Sequence, residues 1–260
     1  MFDYYYLDRS NVLYEDWNEE LKWAVVGAGM DTTETYLPGQ RLGPNSIRNA
    51  IRRKDSTRLL NDLGNIMVVH GDVVESLNRI QTVISSFLGT YPSSKIITLG
   101  GEHTITYAVV KSLLSIHDEL QLISLDAHYD AYDKYETLNY SHATVMRRIN
   151  ELKRVRVIVK GVRRYAVEEE SYAIKHFSTH IDKTIPTYLS IDLDYFDPSI
   201  APGVSDKESN GYYFKDFKDI VKNIKNLVGF DVVELNPFLD VSETTANLAA
   251  DIILELVNKK

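Results

Sequence analysis

The sequence alternates short runs rich in β-branched residues with longer segments of helical periodicity. This alternation restricts the fold more than any other feature, because such chains form a mostly parallel sheet that helices cover on both faces. The runs predict strands at 23–27, 66–70, 95–99, 121–125, 155–162, 187–191 and 227–233. Apolar residues at intervals of three and four predict helices at 44–53, 74–88, 104–116 and 214–224. A last helix, capped by Ser242 or Thr244, is expected to end at about Val257. The expected architecture is a three-layer α-β-α sandwich.

The chain of 260 residues has the length of one α/β domain. It contains no internal repeat and no linker rich in proline or serine, so residues 1–260 are expected to form a single domain. The first twenty residues are rich in aromatic side chains. They include Tyr4, Tyr5, Tyr6, Tyr14 and Trp17. We expect this segment to pack on its own domain rather than against a second subunit.

Composition excludes several classes of function. The formal charge of -8 gives no electrostatic basis for binding nucleic acid. No stretch approaches the ~18 apolar residues of a membrane span, and residues 1–20 lack the features of a secretion signal, so a cytoplasmic protein that does not bind membranes is expected. The absence of cysteine excludes disulfides, thiolate nucleophiles, iron-sulfur clusters and cysteine-type zinc sites. Any metal must therefore be held by histidine and carboxylate.

Polar clusters follow the predicted strands at the points where the strands end. Because the carboxyl ends of parallel strands meet at one edge of the sheet, ligands bind there. The clusters supply metal-type side chains at His103, Asp126, His128, Asp130, Asp192 and Asp194. An extended chain with period two would place Asp126, His128 and Asp130 on one side of the backbone. His103 would join them if its strand were adjacent.

Four carboxylates at one place require cations. At about 5 Å apart they would repel by roughly 3 kcal/mol per pair at an effective dielectric of about 20, and two divalent ions would neutralise them. Carboxylates with two imidazoles suit Mn²⁺, although Zn, Co, Ni and Fe remain open on ligand type. Taken singly, Asp126 and Asp192 could equally be helix caps or loop hydrogen-bonders. Two such motifs behind a Gly-Gly-x-His sequence favour a metal centre.

Three motifs resemble signatures of the ureohydrolase family, the arginases and agmatinases. They are GGEHT at 100–104, DAHYD at 126–130 and SIDLDYFDP at 190–198. The stretch PGQRLGP at 38–44, with Asp31 before it and Ile47-Arg48 after it, resembles the agmatinase branch. The resemblance implies an arginase-like fold and an enzyme that hydrolyses guanidino compounds, most like agmatinase.

The resemblance also implies the roles of individual residues. Two Mn²⁺ ions would share a hydroxide nucleophile and would be held by His103, Asp126, His128, Asp130, Asp192 and Asp194. Asp126 and Asp192 would bridge the ions. Asp130 would also accept the proton of the hydroxide, His142 would shuttle protons and contact the substrate, and Glu234 would bind its guanidinium. Without the resemblance, His142 would be a solvent-facing loop histidine and Glu234 a salt-bridged carboxylate at a strand end.

The leading hypothesis is Mn²⁺-dependent hydrolysis of agmatine to putrescine and urea, a step of polyamine biosynthesis. A sister activity on arginine, guanidinobutyrate, formiminoglutamate or guanidine is the close alternative. A two-metal phosphoesterase has the same ligand chemistry but would need positive charge for its substrate. A metal-stabilised interaction protein is disfavoured by the presence of His142 and Glu234. The family commonly forms trimers or hexamers, which implies a homo-oligomer.

One segment departs from the family pattern and bears on the substrate. Residues 204–211 read VSDKESNG where ureohydrolases usually carry Thr-Gly-Thr-Pro-x-x-Gly-Gly. This segment contains Asp206 and Glu208 against Lys207, and residues 131–142 contain Asp133 and Glu136 against a single lysine. Both segments are expected at the mouth of the site, where their acidity would repel the α-carboxylate of arginine. Because solvent screens exposed charges, the preference for agmatine over arginine is expected to come mainly from a lack of donors for that carboxylate.

Overall fold

One mostly parallel sheet forms the centre of the molecule. The computed structural model describes residues 5–54 and 59–259, and there the strand order is β1-β3-β2-β4-β8-β7-β5-β6. The strands are β1 (Leu7–Asp8), β2 (Trp23–Ala28), β3 (Asn61–Ile66), β4 (Lys95–Gly100), β5 (Leu120–Leu125), β6 (Val155–Lys160), β7 (Thr187–Asp192) and β8 (Leu227–Val233). Every neighbouring pair is parallel except β1 with β3. The predicted sheet type is confirmed.

Helices cover both faces of this sheet. They are α1 (Gly43–Lys54), α2 (Val73–Thr90), α3 (Ile105–Leu113), α4 (Val145–Asn150), α5 (Val167–His176), α6 (Phe214–Val221) and α7 (Thr244–Val257). Buried side chains of α1, α6 and α7 form one apolar cluster with the sheet. Those of α2, α3 and α4 form a second cluster. The three-layer α-β-α sandwich predicted from the sequence is therefore correct, although α4, α5 and β1 were not predicted.

The third strand lies earlier than the apolar pattern indicates. It was expected at 66–70, but β3 spans Asn61–Ile66, and its first residues are polar and buried. Asp62 accepts from Arg48 Nε at 2.8 Å, with both side chains fully buried. Because paired buried charges replace apolar side chains there, hydrophobicity could not locate this strand.

Two boundaries differ for local reasons. Neither Ser242 nor Thr244 caps α7, because Glu243 has a left-handed φ of 54° and Asp240 accepts from the amides of Thr245 and Ala246 at 3.0 and 2.8 Å. The strand expected at 155–162 ends at Lys160, since Gly161 has a φ of 107°. The other helices agree with prediction to within three residues at each end.

The aromatic N-terminal segment contacts the body of the domain. The ring of Trp17 lies 5.8 Å from that of Phe87, in the last turn of α2, and 5.0 Å from that of Tyr91, the residue that follows α2. Tyr6 packs against the same apolar cluster. Tyr4 lies outside the described residues. Within residues 5–54 and 59–259, none of the helices has the length and apolar character needed to cross a membrane.

Candidate metal centre and substrate cavity

Four strands that are consecutive in the sheet deliver the site. β4, β8, β7 and β5 lie side by side. His103 follows β4, Glu234 follows β8, Asp192 ends β7, and Asp126 follows β5. The strand of His103 is not adjacent to those of the aspartates, because β8 lies between them. His103 reaches them from the turn that precedes α3, where the preceding Gly101 packs against the backbone of Met30 so closely that a Cβ could not fit.

Turns, rather than strand alternation, gather the metal-type side chains. Asp126 Oδ1 accepts from the amide of His128 at 2.6 Å, and Asp192 Oδ1 accepts from the amide of Asp194 at 2.9 Å. The prediction that an extended strand would align Asp126, His128 and Asp130 is wrong. β5 ends at Leu125, and the segment that follows is bent. Asp130 has a φ of 49°, in the sparsely populated left-handed region. The side chains nonetheless converge as predicted.

The first half of the cluster surrounds one imidazole nitrogen. His103 Nδ1 lies 3.1 Å from Asp126 Oδ2, 3.0 Å from Asp130 Oδ2 and 3.3 Å from Asp192 Oδ2. Among the described residues, neither His103 Nδ1 nor Asp126 Oδ2 makes a hydrogen bond of good geometry, although both atoms are buried. Buried nitrogen and oxygen atoms that converge on one point without hydrogen-bond partners are typical of a site that binds a cation.

The second half of the cluster is built around His128. Its Nδ1 lies 2.9 Å from Asp194 Oδ2 and 3.6 Å from Asp126 Oδ1. Asp126 thus turns one oxygen toward His103 and the other toward His128. This arrangement suits a carboxylate that bridges two ions.

Protonation equilibria show how strongly the carboxylates repel one another. Burial and the neighbouring Asp126 raise the pKa of Asp130 to about 7. Burial and the charges of Asp194 and Asp126 raise the pKa of Asp192 well above its usual value. Burial opposes a charge on His128, yet Asp194 and Asp126 raise its pKa. Asp130, Asp192 and His128 thus hold protons more strongly than they would in water, which is what crowded carboxylates do in the absence of a cation. The oxygen and nitrogen atoms of this cluster fit a pair of divalent ions.

Glu234 lies beside this cluster, also in the left-handed region with a φ of 67°. Its Oε1 accepts from the amide of His103 at 2.6 Å, and its Oε2 accepts from Gln40 Nε2 at 3.2 Å. Burial and the charge of Asp192 raise its pKa well above the usual value. Among the described residues no cation forms a salt bridge with it within 4.0 Å, so it is not the salt-bridged carboxylate that its position alone allowed.

His142 is held in place by a hydroxyl. It begins a single 3-10 turn, and its Nδ1 lies 3.2 Å from Thr33 Oγ1. Thr33 Oγ1 in turn donates to the buried Glu102 Oε1 at 2.7 Å. Burial lowers the pKa of His142. The imidazole is therefore oriented and mostly buried, unlike that of a solvent-facing loop histidine.

A cavity of about 600 Å³ opens above these groups. Its charged and aromatic lining includes Glu34, Tyr36, Tyr132, Tyr135, Arg164, Tyr165, Glu169 and Asp206, besides His128, Asp130, His142, Asp192, Asp194 and Glu234. Arg164 is the one arginine or lysine among the described lining residues, and Glu208 Oε1 lies 2.6 Å from its Nη1. Carboxylates therefore dominate the lining.

The charges at the mouth differ in part from expectation. Asp206 lines the cavity as predicted, with its Oδ2 3.7 Å from His128 Nε2. Asp133 does not line it, because it pairs with Arg147 at 3.0 Å. Sequence reasoning missed Glu34 and Gln40. Gln40 falls inside the agmatinase-like PGQRLGP stretch, which was the available signal, whereas nothing in the sequence marked Glu34.

Comparison with known proteins agrees with this architecture. The model of the Arginase family matches residues 21–183 and 172–258. An agmatinase of Bacillus subtilis is 31% identical, covering 92% of this chain and 92% of its own length. The N(1)-aminopropylagmatine ureohydrolase of Thermococcus kodakarensis is 30% identical, covering 84% of this chain and 83% of its own.

Solved structures show the same fold. The agmatine ureohydrolase of Thermoplasma volcanium superposes with a TM-score of 0.81 at 28% identity, over 92% of this chain and 89% of that one. An arginase from Medicago truncatula superposes with a TM-score of 0.82 at 29% identity, over 91% of this chain and 86% of that one. The predicted arginase-like architecture is confirmed.

Proposed function

This chain belongs to the arginase family of ureohydrolases, and we propose that it hydrolyses agmatine to putrescine and urea with two Mn²⁺ ions. The observation that carries the proposal is the convergence of six metal-type side chains beside Glu234, a buried carboxylate without a cationic partner among the described residues. Four of the six, His128, Asp130, Asp192 and Asp194, line one acidic cavity together with Glu234.

The ions would be held in two groups that share two carboxylates. His103 and Asp130 would complete one group and His128 and Asp194 the other, with Asp126 and Asp192 between them. When bound, two such cations lower the pKa of a water molecule far enough for it to act as a nucleophile at neutral pH. No serine, cysteine or lysine nucleophile is then required.

Glu234 would bind the guanidinium of the substrate. Its carboxylate is fixed by the amide of His103 and by Gln40 Nε2, so its orientation is set before the substrate arrives. A planar guanidinium pairs with a carboxylate through parallel hydrogen bonds, which orient the electrophilic carbon as well as bind it. The energetic cost of burying Glu234 alone is offset when this cation binds.

His142 and Asp130 would manage protons. A C–N bond of the tetrahedral intermediate breaks readily only when the departing nitrogen is protonated. Asp130, itself a member of the cluster, would receive a proton from the nucleophile and pass it to that nitrogen. The lowered pKa of His142 keeps its imidazole neutral near pH 7, so it can exchange protons between the cavity and solvent.

The lining favours agmatine over arginine. The two substrates differ in the α-carboxylate, which needs hydrogen-bond donors. Arg164 is already paired with Glu208, and the hydroxyl of Ser205 donates to Leu37 O at 2.7 Å. Glu34 and Asp206 would instead attract the terminal ammonium of agmatine.

A urea-release assay tests the proposal. The Mn²⁺-loaded protein would be given agmatine, arginine, guanidinobutyrate, formiminoglutamate, guanidine and N(1)-aminopropylagmatine at equal concentrations, with formamide analysed for the formimino compound. We expect agmatine to give the highest kcat/KM. A higher value for any other compound would transfer the assignment to that substrate, and inactivity on all of them would overturn it.

A further inference from the structure

A fully buried carboxylate, Asp231, lies in the middle of β8 one layer behind the metal cluster. Three hydroxyls surround it. Ser190 Oγ lies 2.6 Å from its Oδ1, and Thr106 Oγ1 and Tyr188 Oη lie 2.8 and 2.9 Å from its Oδ2. Ser190 is its direct partner across the β7–β8 pair. A charge placed inside an otherwise apolar strand is costly, and these donors are what make it tolerable.

Ser190 connects this carboxylate to the metal centre. Its Oγ lies 2.9 Å from His103 Nε2, and both side chains are fully buried. Asp231 is reached by three donors and, as a carboxylate, can only accept hydrogen bonds. Ser190 therefore donates to Asp231, and its oxygen lone pair is left to accept from Nε2–H of His103.

This direction of hydrogen bonding determines the tautomer of the imidazole. With the proton on Nε2, the lone pair of a neutral His103 is on Nδ1. Nδ1 is the atom that Asp126, Asp130 and Asp192 surround at 3.0 to 3.3 Å. The chain of contacts Asp231–Ser190–His103 thus presents a ligand atom to the cluster.

We propose that Asp231, acting through Ser190, is a positioning residue that fixes the ring orientation and tautomer of His103 for binding a divalent cation. The inference rests on the metal centre proposed above. Partners of this kind behind a ligating histidine typically change metal affinity by about 10- to 100-fold. β8 lies between β4, which precedes His103, and β7, which contains Ser190. Asp231 of β8 is therefore placed to position both side chains.

Two matched variants separate this role from a structural one. Ser190→Ala and Tyr188→Phe each remove one buried hydroxyl that donates to Asp231, but only Ser190 also contacts His103. Mn²⁺ would be titrated into each metal-free protein by equilibrium dialysis. We expect Ser190→Ala to weaken one of the two binding steps at least about tenfold and Tyr188→Phe to change neither by more than about threefold.

The melting temperatures of the metal-free proteins are the second readout. Both variants are expected to lower them, Ser190→Ala somewhat more, because each loses a hydrogen bond to Asp231 and Ser190→Ala also leaves His103 Nε2 without its partner. Equal Mn²⁺ affinities for Ser190→Ala and Tyr188→Phe would overturn the proposal. Asp231→Asn, with Ser190 intact, should also weaken the same step, and wild-type affinity in that variant would remove Asp231 from the role. If the wild-type protein bound no Mn²⁺, the proposal of a metal centre would itself be wrong.

Discussion

Thr33 Oγ1 lies 3.2 Å from His142 Nδ1, and the same hydroxyl donates to Glu102 Oε1 at 2.7 Å. Because the carboxylate of Glu102 takes the hydroxyl proton, the oxygen of Thr33 can accept from His142 Nδ1–H. The Nε2 lone pair of His142 is then free for proton exchange. Glu102 thereby influences an imidazole that it does not touch.

The first prediction concerns this hydroxyl. Thr33→Val keeps the shape of the side chain but removes the hydrogen bond to His142, so kcat should fall about tenfold while Mn²⁺ content stays at the wild-type value. Thr104→Val is the matched control, because Thr104 lies 3.3 Å from Thr33 Oγ1 without a hydrogen bond to His142. Steady-state kinetics and elemental analysis check both variants. Equal loss in the two would show that only packing was disturbed.

The second prediction concerns His142 itself. His142→Ala should lower kcat by about 10²- to 10⁴-fold, which is the usual contribution of a proton-transfer group. Bound metal should be unaffected, because the imidazole contacts Thr33 rather than the cluster. Added imidazole should restore part of the activity. If His142→Ala kept the wild-type kcat throughout pH 7 to 9.5, His142 would not be a proton shuttle.

The third prediction concerns the bridging carboxylates. Asp126→Asn and Asp192→Asn should each lose at least one ion after dialysis and nearly all activity. The reason is that the two oxygens of each carboxylate are expected to bind different cations. Asp216→Asn is a suitable control. Asp216 caps α6 by accepting from the amide of Tyr213, and it does not belong to the cluster. Elemental analysis gives the number of ions per chain. Two retained ions with near-normal turnover would refute the bridging assignment.

The fourth prediction concerns pH and stability. Burial raises the pKa of Glu102 from 4.5 to about 7. Since the folded-state pKa is the higher one, the stabilising effect of its proton is complete below pH 4.5 and is lost as pH rises to about 7. The loss is up to about 3 kcal/mol of unfolding free energy. Glu102→Gln should lack this decline.

Urea unfolding of both metal-free proteins at pH 5 and pH 8 measures the effect. The quantity of interest is the difference between wild type and Glu102→Gln at each pH, which cancels the titration of other groups. This difference should shift in favour of the variant at pH 8. A difference that is independent of pH would mean that Glu102 does not titrate in this range.

The fifth prediction concerns selectivity. Agmatine should exceed arginine in kcat/KM by at least about tenfold, because the carboxylates of the lining repel an α-carboxylate and Arg164 is already paired with Glu208. Glu34→Gln and Asp206→Asn should each reduce kcat/KM for agmatine by about two- to fivefold. The effect is small because solvent screens the charge of Asp206, which is exposed, and of Glu34, which is partly exposed. Asp133→Asn is the control, as Asp133 is paired with Arg147 outside the cavity lining. A preference for arginine at equal Mn²⁺ would overturn the agmatine assignment but leave the metal centre intact.

Local sequence patterns were enough to predict the type of sheet and the cluster of metal-type side chains. Strand and helix periodicities are local properties, so they can be recognised without knowing which residues are in contact. The chemistry of His103, Asp126 and Asp192 is evident from their residue types and their positions at strand ends. Local patterns failed where distant partners replaced apolar packing. β3 was misplaced because Arg48 neutralises Asp62 within the strand.

How these groups meet, and which residues lie behind them, depended on the three-dimensional fold. The strand order, with β8 between β4 and β7, places Asp231 beside Ser190 and brings Glu234 against His103. Glu34 enters the cavity from a loop that no periodicity describes. Such contacts join residues far apart in the chain, and their energies depend on burial and distance. Neither quantity exists until the chain has folded.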